Sequence, residues 1–516
     1  MSRSVVEHFD EGVYASNLYF GPPDYTYPLQ RFYAPPLLPA LIEAGMIARL
    51  PPNLAALLPS FLAGCGTIAA LWWMGRSWFG PRVGLLAAGL AASSPFQIGL
   101  STTALTDTLL GLFLLLALTA IARSIMSSDY RWAIGGGLLT GLAWWTKYNG
   151  WLPLVIEATA IGGLWIVDRW LHRKQVTTQV VACFLITTLT AMLVWSPFYL
   201  SIGRSGYAEI ASNHANYVVG FAGWLQSAAR QIANATVVTG PAQTWLSGGL
   251  HGFGFLAVIG MGARGIREIR ARGATTQPLA ITGICMLAAW WLGLLVATPC
   301  YWPYSRLLLP WLLACYLGVA IFLDEVMLRW NAASVPQNRL ERWQLPVVGG
   351  IALCSAAVLT WNTWPTRESL LTHARQRRGL IDVAAALQEG MERAIAETGQ
   401  RKEPADRVVY ILGEPALLFQ LASRGEQNAI PVQEFPAASA SRESEPLPTF
   451  LVTGPHFEQD ITSEKRLALT GKHWEFVSEH EYSPSWLVWL DLHDPRQAAG
   501  GPASQHRFKL YRFAGK

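Results

Sequence analysis

"STTALTDTLLGLFLLLALTAIA", residues 101–122, decides how this chain must be read. Beyond Asp107 the run holds no charge, and a bilayer is crossed by roughly 20 predominantly apolar residues as a helix. The same texture recurs along the first two thirds of the sequence. Candidate spans fall at 53–74, 82–101, 105–125, 132–149, 150–167, 178–200, 244–263, 278–298, 304–323 and 344–363. Gly and Pro inside several of them are tolerated because neighbouring membrane helices re-satisfy freed backbone groups. The stretch 36–49, "PLLPALIEAGMIAR", is too short to span and is expected at the interface.

Charge separates the chain into two parts. Of 516 residues 52% are hydrophobic and 14% charged, yet residues 365–516 carry 18 of the 39 Lys+Arg and 20 of the 34 Asp+Glu. The remainder is too poor in charge for a water-facing surface. The expected fold class is therefore an α-helical polytopic membrane protein with about ten transmembrane helices and a small soluble α/β domain at its C-terminal end. The expected divisions are an outer segment over 1–52, read as loop leading into the interfacial helix because it is rich in Tyr and Pro, a transmembrane domain over 53–364 and an extracytoplasmic α/β domain over 365–516. In the last, "LIDVAAALQEGMERAIAETG" and "PALLFQLASRG" read as helices. "RVVYILGE", "TFLVTG", "HWEFVSEHEY", "WLVWLDL" and "HRFKLYRF" read as strands, and "SASRESEP" as an exposed loop. The segment 201–243 has amphipathic helical spacing suited to the membrane surface.

Basic residues set the orientation. Alternate loops hold fourteen, among them Arg76, Arg82, Arg123, Arg131 and Arg169, against four (Lys147, Arg204, Arg230, Arg306) in the opposite loops. The positive-inside rule puts the first set in the cytoplasm, and residues 10–11 and the C-terminal domain on the other face. The net charge of +5 follows from this bias and implies no nucleic-acid partner. Cys65, Cys183, Cys285, Cys300, Cys315 and Cys354 form no CxxC pattern, which supports neither disulfides nor a structural zinc site.

Ionisable groups near apolar spans are costly and tend to be functional. Asp10 and Glu11 open the chain in "HFDEGVYASNLY"; Asp107 begins one helix, Lys147 ends the next, and Arg306 precedes another. With Arg31 they lie on one side of the membrane, where a lipid-borne phosphate could meet them. Each has a plainer alternative. Asp107 complements a helix N-terminus, Lys147 and Arg306 can snorkel to headgroups, and Asp10–Glu11 alone is a polar opening. Glu157, deeper in "LPLVIEATAIGG", is either a functional buried acid or one half of a buried pair.

In order, "DEGVYA", "APPLLPALI", "SSPFQIGLSTTALTDTLLGLFLLLAL", "GLLTGLAWWTKYNGWLPL" and "PYSRLLLPWLLA" resemble a known family. They are similar to polyprenyl- or dolichyl-phosphate-sugar-dependent glycosyltransferases of the protein mannosyltransferase (family 39) and aminoarabinose-transferase-like type, which have the GT-C fold. The resemblance runs over about residues 10–323. It implies sugar transfer from a polyprenyl-phosphate donor to a lipid, glycan or protein hydroxyl on the non-cytoplasmic face of the inner membrane, with inversion. By the same resemblance Asp10 is the base, Glu11 its flanking acid and Asp107 a second site acid, while Lys147 and Arg306 attend the donor phosphate. Family members carry Lys or His before "PP"; here Ala34 stands there, with Arg31 as the candidate to take its place. Members also carry a helix before the "DE" loop, so this sequence reads as one whose leading helix is missing. No metal ligands stand out, and a divalent cation is left open as a cofactor. A transporter or flippase of lipid-linked sugars would favour midplane charges and repeats. A non-catalytic anchor would make Asp10 and Asp107 freely replaceable.

Overall fold

The computed structural model describes residues 5–16, 34–171, 176–215, 217–237, 256, 258–262, 278–302, 304–334, 377–397, 407–432, 447–455, 474–482 and 506–514. Arg31, the expected span 344–363, most of the span 244–263, the boundary at 364/365, "WLVWLDL" and "SASRESEP" lie outside them.

The chain is first seen as helix α1 (Phe9–Ser16), where the sequence reading expected loop. The prolines behind that expectation all lie beyond Phe20. Locally, the sequence caps a helix. Glu11 at the third helical position reaches back to accept from the N–H groups of Glu7 (3.0 Å) and His8 (2.9 Å). The Asp10 N–H donates to His8 Nδ1 at 3.1 Å. Helix α2 (Leu37–Ile47) is the short apolar helix expected, burying Leu38, Ile42 and Met46 while Leu41 and Ile47 stay exposed.

The bundle comprises α3 (Pro52–Phe79), α4 (Pro81–Ser93), α5 (Pro95–Ser101), α6 (Thr106–Ser127), α7 (Tyr130–Thr146), α8 (Leu152–Leu171) and α9 (Thr178–Ala215). It continues with α10 (Gly220–Val237), α11 (Pro278–Ala297) and α12 (Leu309–Ser334). Helix α6 is its centre, with Leu110, Leu114, Leu115, Leu118 and Ile121 all fully buried. The hydroxyls of Thr119, Ser124 and Ser127 are satisfied within the helix, as where Thr119 Oγ1 donates to the Leu115 carbonyl at 2.7 Å, while Thr108 Oγ1 donates to the Leu100 carbonyl before it. Glycines let α7 approach α9 closely: a Cβ at Gly137 would stand 2.6 Å from the Thr187 carbonyl oxygen.

Two expectations change. The span 82–101 is two helices, because Ser94 before Pro95 takes extended angles (φ −73°, ψ 118°), as a residue preceding proline must. Ser94 then caps α5, accepting from the Gln97 N–H, and its hydroxyl accepts from Tyr316 at 2.7 Å. The helix beginning at 178 does not stop at 200. It turns at Gly203 (φ 66°, ψ −178°), continues to Ala215, and α10 follows, with Phe221 and Leu225 strongly exposed. Among the described residues five stretches are long and apolar enough to cross a membrane: Pro52–Phe79, Thr106–Ser127, Thr178–Ser212, Ile281–Cys300 and Arg306–Leu328. Of the other expected spans, 82–101 is broken at Ser94, α7 has only 17 residues, α8 carries Glu157, Asp168 and Arg169, and 344–363 and most of 244–263 lie outside the described residues.

Among the described residues the C-terminal domain is a five-stranded sheet with two helices. Strands β1 (Val408–Leu412), β2 (Ala429–Val432), β3 (Thr449–Thr453), β4 (Trp474–Tyr482) and β5 (His506–Phe513) lie in the order β2-β1-β3-β5-β4. β1 is parallel to β2 and β3; β5 is antiparallel to β3 and β4. Helix α13 (Gly379–Ala396) covers β4, and α14 (Pro415–Ser423) links β1 to β2. β2 escaped the sequence reading because four residues containing a proline make too short a pattern. Inside, Arg407 and Glu426 form a buried pair that Gln388 joins at 2.8 Å.

The two parts share one hydrophobic core, and α1 lies between them. Gln420 of α14 donates to the Val6 carbonyl (2.7 Å) and to Asn53 Oδ1 (3.1 Å), while Asn53 Oδ1 accepts from the Val6 N–H (2.9 Å). A Cβ at Gly12 would overlap the backbone of Pro415 and Ala416, so α1 and α14 meet backbone to backbone.

Candidate functional site

Four elements deliver the expected residues to one end of the bundle. Helices α6 and α7 are antiparallel neighbours, so the first turn of one and the last of the other share an end. Asp107 occupies the first turn of α6; Lys147 is the residue on which α7 stops, extended at φ −152° and ψ 145°. Lys147 Nζ donates to Asp107 Oδ1 at 2.6 Å.

Arg306 lies in a 3-10 turn, Ser305–Leu308, leading into α12. The preceding segment is fixed by backbone bonds to the α9–α10 connection. The Val219 N–H donates to the Cys300 carbonyl (2.9 Å) and the Trp302 N–H to the Tyr217 carbonyl (2.8 Å). The Arg306 guanidinium stands 6.0 Å from the Tyr304 ring centre and pairs with Asp10. Asp10 and Asp107 are buried, and their cationic partners only partly so. Two acids from distant parts of the chain thus each hold one base.

Tyr14, one turn after Asp10 on α1, stands between the pairs. Its phenol interacts with Thr106 and lies within electrostatic reach of Asp10, Arg306 and Asp107. Burial above all, then Asp10, pushes that phenol far above its ordinary range, so it remains a neutral hydrogen-bonding group. Nothing in "DEGVYA" sets Tyr14 apart as a site residue except its i, i+4 relation to Asp10. Asp107 Oδ2 is buried and has no hydrogen-bond partner among the described residues. An accepting oxygen left over in a buried site is what a ligand hydroxyl can take up.

Beyond this core lies an aromatic wall. Tyr148 meets His214 edge-on with ring centres 5.5 Å apart, and Trp144 stacks on Trp195 at 4.9 Å. Burial raises the Tyr148 phenol and lowers the His214 imidazole, which Lys147 lowers further. Tyr301 is pushed up to about 12, mainly by burial.

Glu11 has a different setting from Asp10 beside it. Its Oε1 accepts from the Ala104 N–H at 2.8 Å and its Oε2 from the N–H groups of Glu7 and His8, just before α1. Arg377 Nη2 donates to both oxygens, at 2.8 and 3.0 Å. Glu157 is fully buried, joins neither site pair, and neither carboxyl oxygen has a hydrogen-bond partner among the described residues. Among those residues no group of three His, Cys, Asp or Glu side chains could hold a metal ion, and the five described cysteines are free.

Comparison with known proteins agrees with this architecture. Residues 33–198 match the family described as dolichyl-phosphate-mannose-protein mannosyltransferase. YycA of Bacillus subtilis (strain 168), a protein that carries a mannosyltransferase name, is 27% identical over 165 residues, 32% of this chain. The chain spans about a quarter (24%) of that relative's length. ArnT from Cupriavidus metallidurans in its apo state is similar in fold with a TM-score of 0.56 at 15% identity, over 92% of this chain and 93% of that one. The same protein bound to undecaprenyl phosphate gives 0.54 at 15% identity, over 99% and 94%. The chain therefore has the GT-C fold seen in ArnT and, over residues 33–198, the sequence pattern of the protein mannosyltransferases, so the resemblance read from its motifs holds.

Proposed function

We propose that this chain is a membrane glycosyltransferase that moves a sugar from a polyprenyl-phosphate donor to an acceptor hydroxyl, with inversion and with Asp10 as the base. The observation that carries the reading is the pairing of Asp10 with Arg306 and of Asp107 with Lys147 around the buried Tyr14. The mannosyltransferase pattern over 33–198 and the ArnT-like fold support it. A structure of ArnT with undecaprenyl phosphate supports the choice of donor class.

In the resting arrangement each cation neutralises a carboxylate. An arriving lipid phosphate competes for Arg306 and Lys147, and Asp10 is thereby freed to accept a proton. The acceptor hydroxyl gives that proton to Asp10 as its oxygen bonds to the anomeric carbon. The bond from that carbon to the phosphate oxygen breaks, and its electron pair leaves on the lipid phosphate. Positioned general-base catalysis contributes about 10²–10⁴-fold. Cations in a poorly hydrated site stabilise the departing charge most effectively when fixed beforehand. Asp107, with Oδ2 unfilled, orients the acceptor.

The site lies at the end of the bundle away from Arg76, Arg82, Arg123, Arg131 and Arg169, which favours the non-cytoplasmic face of the inner membrane. A divalent cation enters this scheme only where the acids exchange Arg306 or Lys147 for it, which assay in EDTA tests. The deciding experiment supplies labelled polyprenyl-phosphate sugars to membranes holding wild type or Asp10→Asn. Label should pass to lipid, glycan or protein with wild type alone, and wild-type turnover by Asp10→Asn would remove the base assignment.

A further inference from the structure

We propose that Arg377 is a positioning residue for the reaction, through which the C-terminal domain holds Asp10 in place; the inference rests on the glycosyltransferase reading above. Arg377 begins the described part of the C-terminal domain, two residues before α13, and is only 1% exposed. Its guanidinium gathers two separate pieces of chain. Nη2 donates to both Glu11 oxygens and to the Val5 carbonyl, Nη1 donates to the Thr102 carbonyl at 2.8 Å, and Nε lies 3.8 Å from Glu7 Oε2. Glu11 in turn accepts from the Ala104 N–H. Thr102 and Ala104 form the turn that launches α6, and therefore Asp107. One cation thus ties the start of α1, which bears Asp10, to the start of α6, which bears Asp107.

The planar fork of arginine suits this task, since several acceptors are met at fixed angles; lysine offers one compact charge. Glu11 follows from the same geometry as the other half of the strut, since its carboxylate is wholly taken up by protein donors. Asp10 points to Arg306 while its neighbour points to Arg377, so a rotation of α1 would move both acids. Gln420 on Val6 and the contact of Gly12 with Ala416 press α1 from the same side. A displacement near 1 Å of a catalytic group can cost about 100-fold in rate. Transfer should therefore fail without the strut even where the fold survives.

The test uses the full chain in detergent micelles. Thermal midpoint, kcat and KM for undecaprenyl-phosphate-linked mannose as probe donor, and amide hydrogen exchange of residues 9–16 are measured. The proteins are wild type, Asp10→Asn, Arg377→Gln, Arg377→Lys and the double variant Glu11→Gln/Arg377→Met, which removes both charges together. Arg377→Gln and Arg377→Lys are expected to lower kcat about 100-fold, with KM changed far less and with faster exchange in 9–16. The double variant should regain thermal stability but not kcat. Wild-type kcat in a thermally restored double variant would overturn the proposal, since the pair would then serve stability alone. Unchanged exchange of residues 9–16 in Arg377→Gln would overturn it too, whatever sugar the enzyme uses. Wild-type transfer by Asp10→Asn would instead defeat the base assignment, a separate failure.

Discussion

Lys147 Nζ donates to Asp107 Oδ1 at 2.6 Å, joining side chains forty residues apart, while a few side chains away Arg306 holds Asp10 across nearly 300 residues. Each pair spends the charge of a cation on a carboxylate that the apolar bundle could not otherwise bury. Such pairs are stable at rest and exchangeable when a stronger anion arrives, which is the property a phosphate-releasing transferase needs.

The Asp107–Lys147 link should appear as energetic coupling. Asp107→Asn and Lys147→Ala are each expected to destabilise the protein and to reduce transfer. In a double-mutant cycle their effects on stability should be non-additive by about 0.5–3 kcal/mol. Denaturation midpoints of the four proteins measure this directly, and simple additivity would show that the pair contributes nothing.

Arg306→Ala removes from Asp10 the guanidinium paired with it here. Transfer should fall by about 100-fold or more, the scale on which a preorganised charge-stabilising group acts. Arg306→Lys should recover only part of it, because an ammonium cannot keep the same geometry toward both carboxylate and phosphate. Initial rates at saturating donor give the comparison.

Gly12 is set against backbone, so Gly12→Ala should cost about 1–3 kcal/mol through overpacking and lower transfer with it. Gly89, in the middle of α4, would meet nothing within 4 Å on gaining a Cβ. Gly89→Ala should stabilise by about 0.5–1 kcal/mol, the helix-interior difference between the two residues. Thermal melts of both variants separate close approach from general helix propensity.

Glu157 is a buried acid with no hydrogen-bond partner among the described residues, an arrangement that costs stability. Glu157→Leu is expected to raise the unfolding free energy by about 1–3 kcal/mol and leave transfer intact. Loss of transfer in a well-folded Glu157→Leu would reinstate it as a functional acid.

His214 gives the protein an acid-side dependence. Burial lowers the pKa of its imidazole, the Ile210 backbone carbonyl 3.0 Å from Nδ1 works against this, and Lys147 adds to the lowering. A histidine whose folded pKa is depressed contributes stability that is fully present above its ordinary value of about 6.5. That contribution is lost as pH falls through the lower folded value, because the unfolded chain binds the extra proton first. Melting temperatures recorded from pH 8 down to pH 5 should decline less steeply in His214→Gln than in wild type.

Sequence alone determined that most of this chain belongs to a bilayer, since the run after Asp107 and the sparse charge of residues 1–364 admit no watery surface. It also determined that the C-terminal residues form an α/β unit, because period-two and helical patterns alternate there over short distances. The candidate residues Asp10, Asp107, Lys147 and Arg306 were conspicuous for the same reason: a charge beside an apolar span is expensive. Their partners were not. Nothing in the spacing of Asp10 and Arg306, or of Glu11 and Arg377, marks them as neighbours, because pairing across hundreds of residues is set by how helices pack and not by any local repeat. Only the tertiary structure could separate the roles of adjacent Asp10 and Glu11, since on a helix successive side chains point about 100° apart and the two acids face different halves of the molecule.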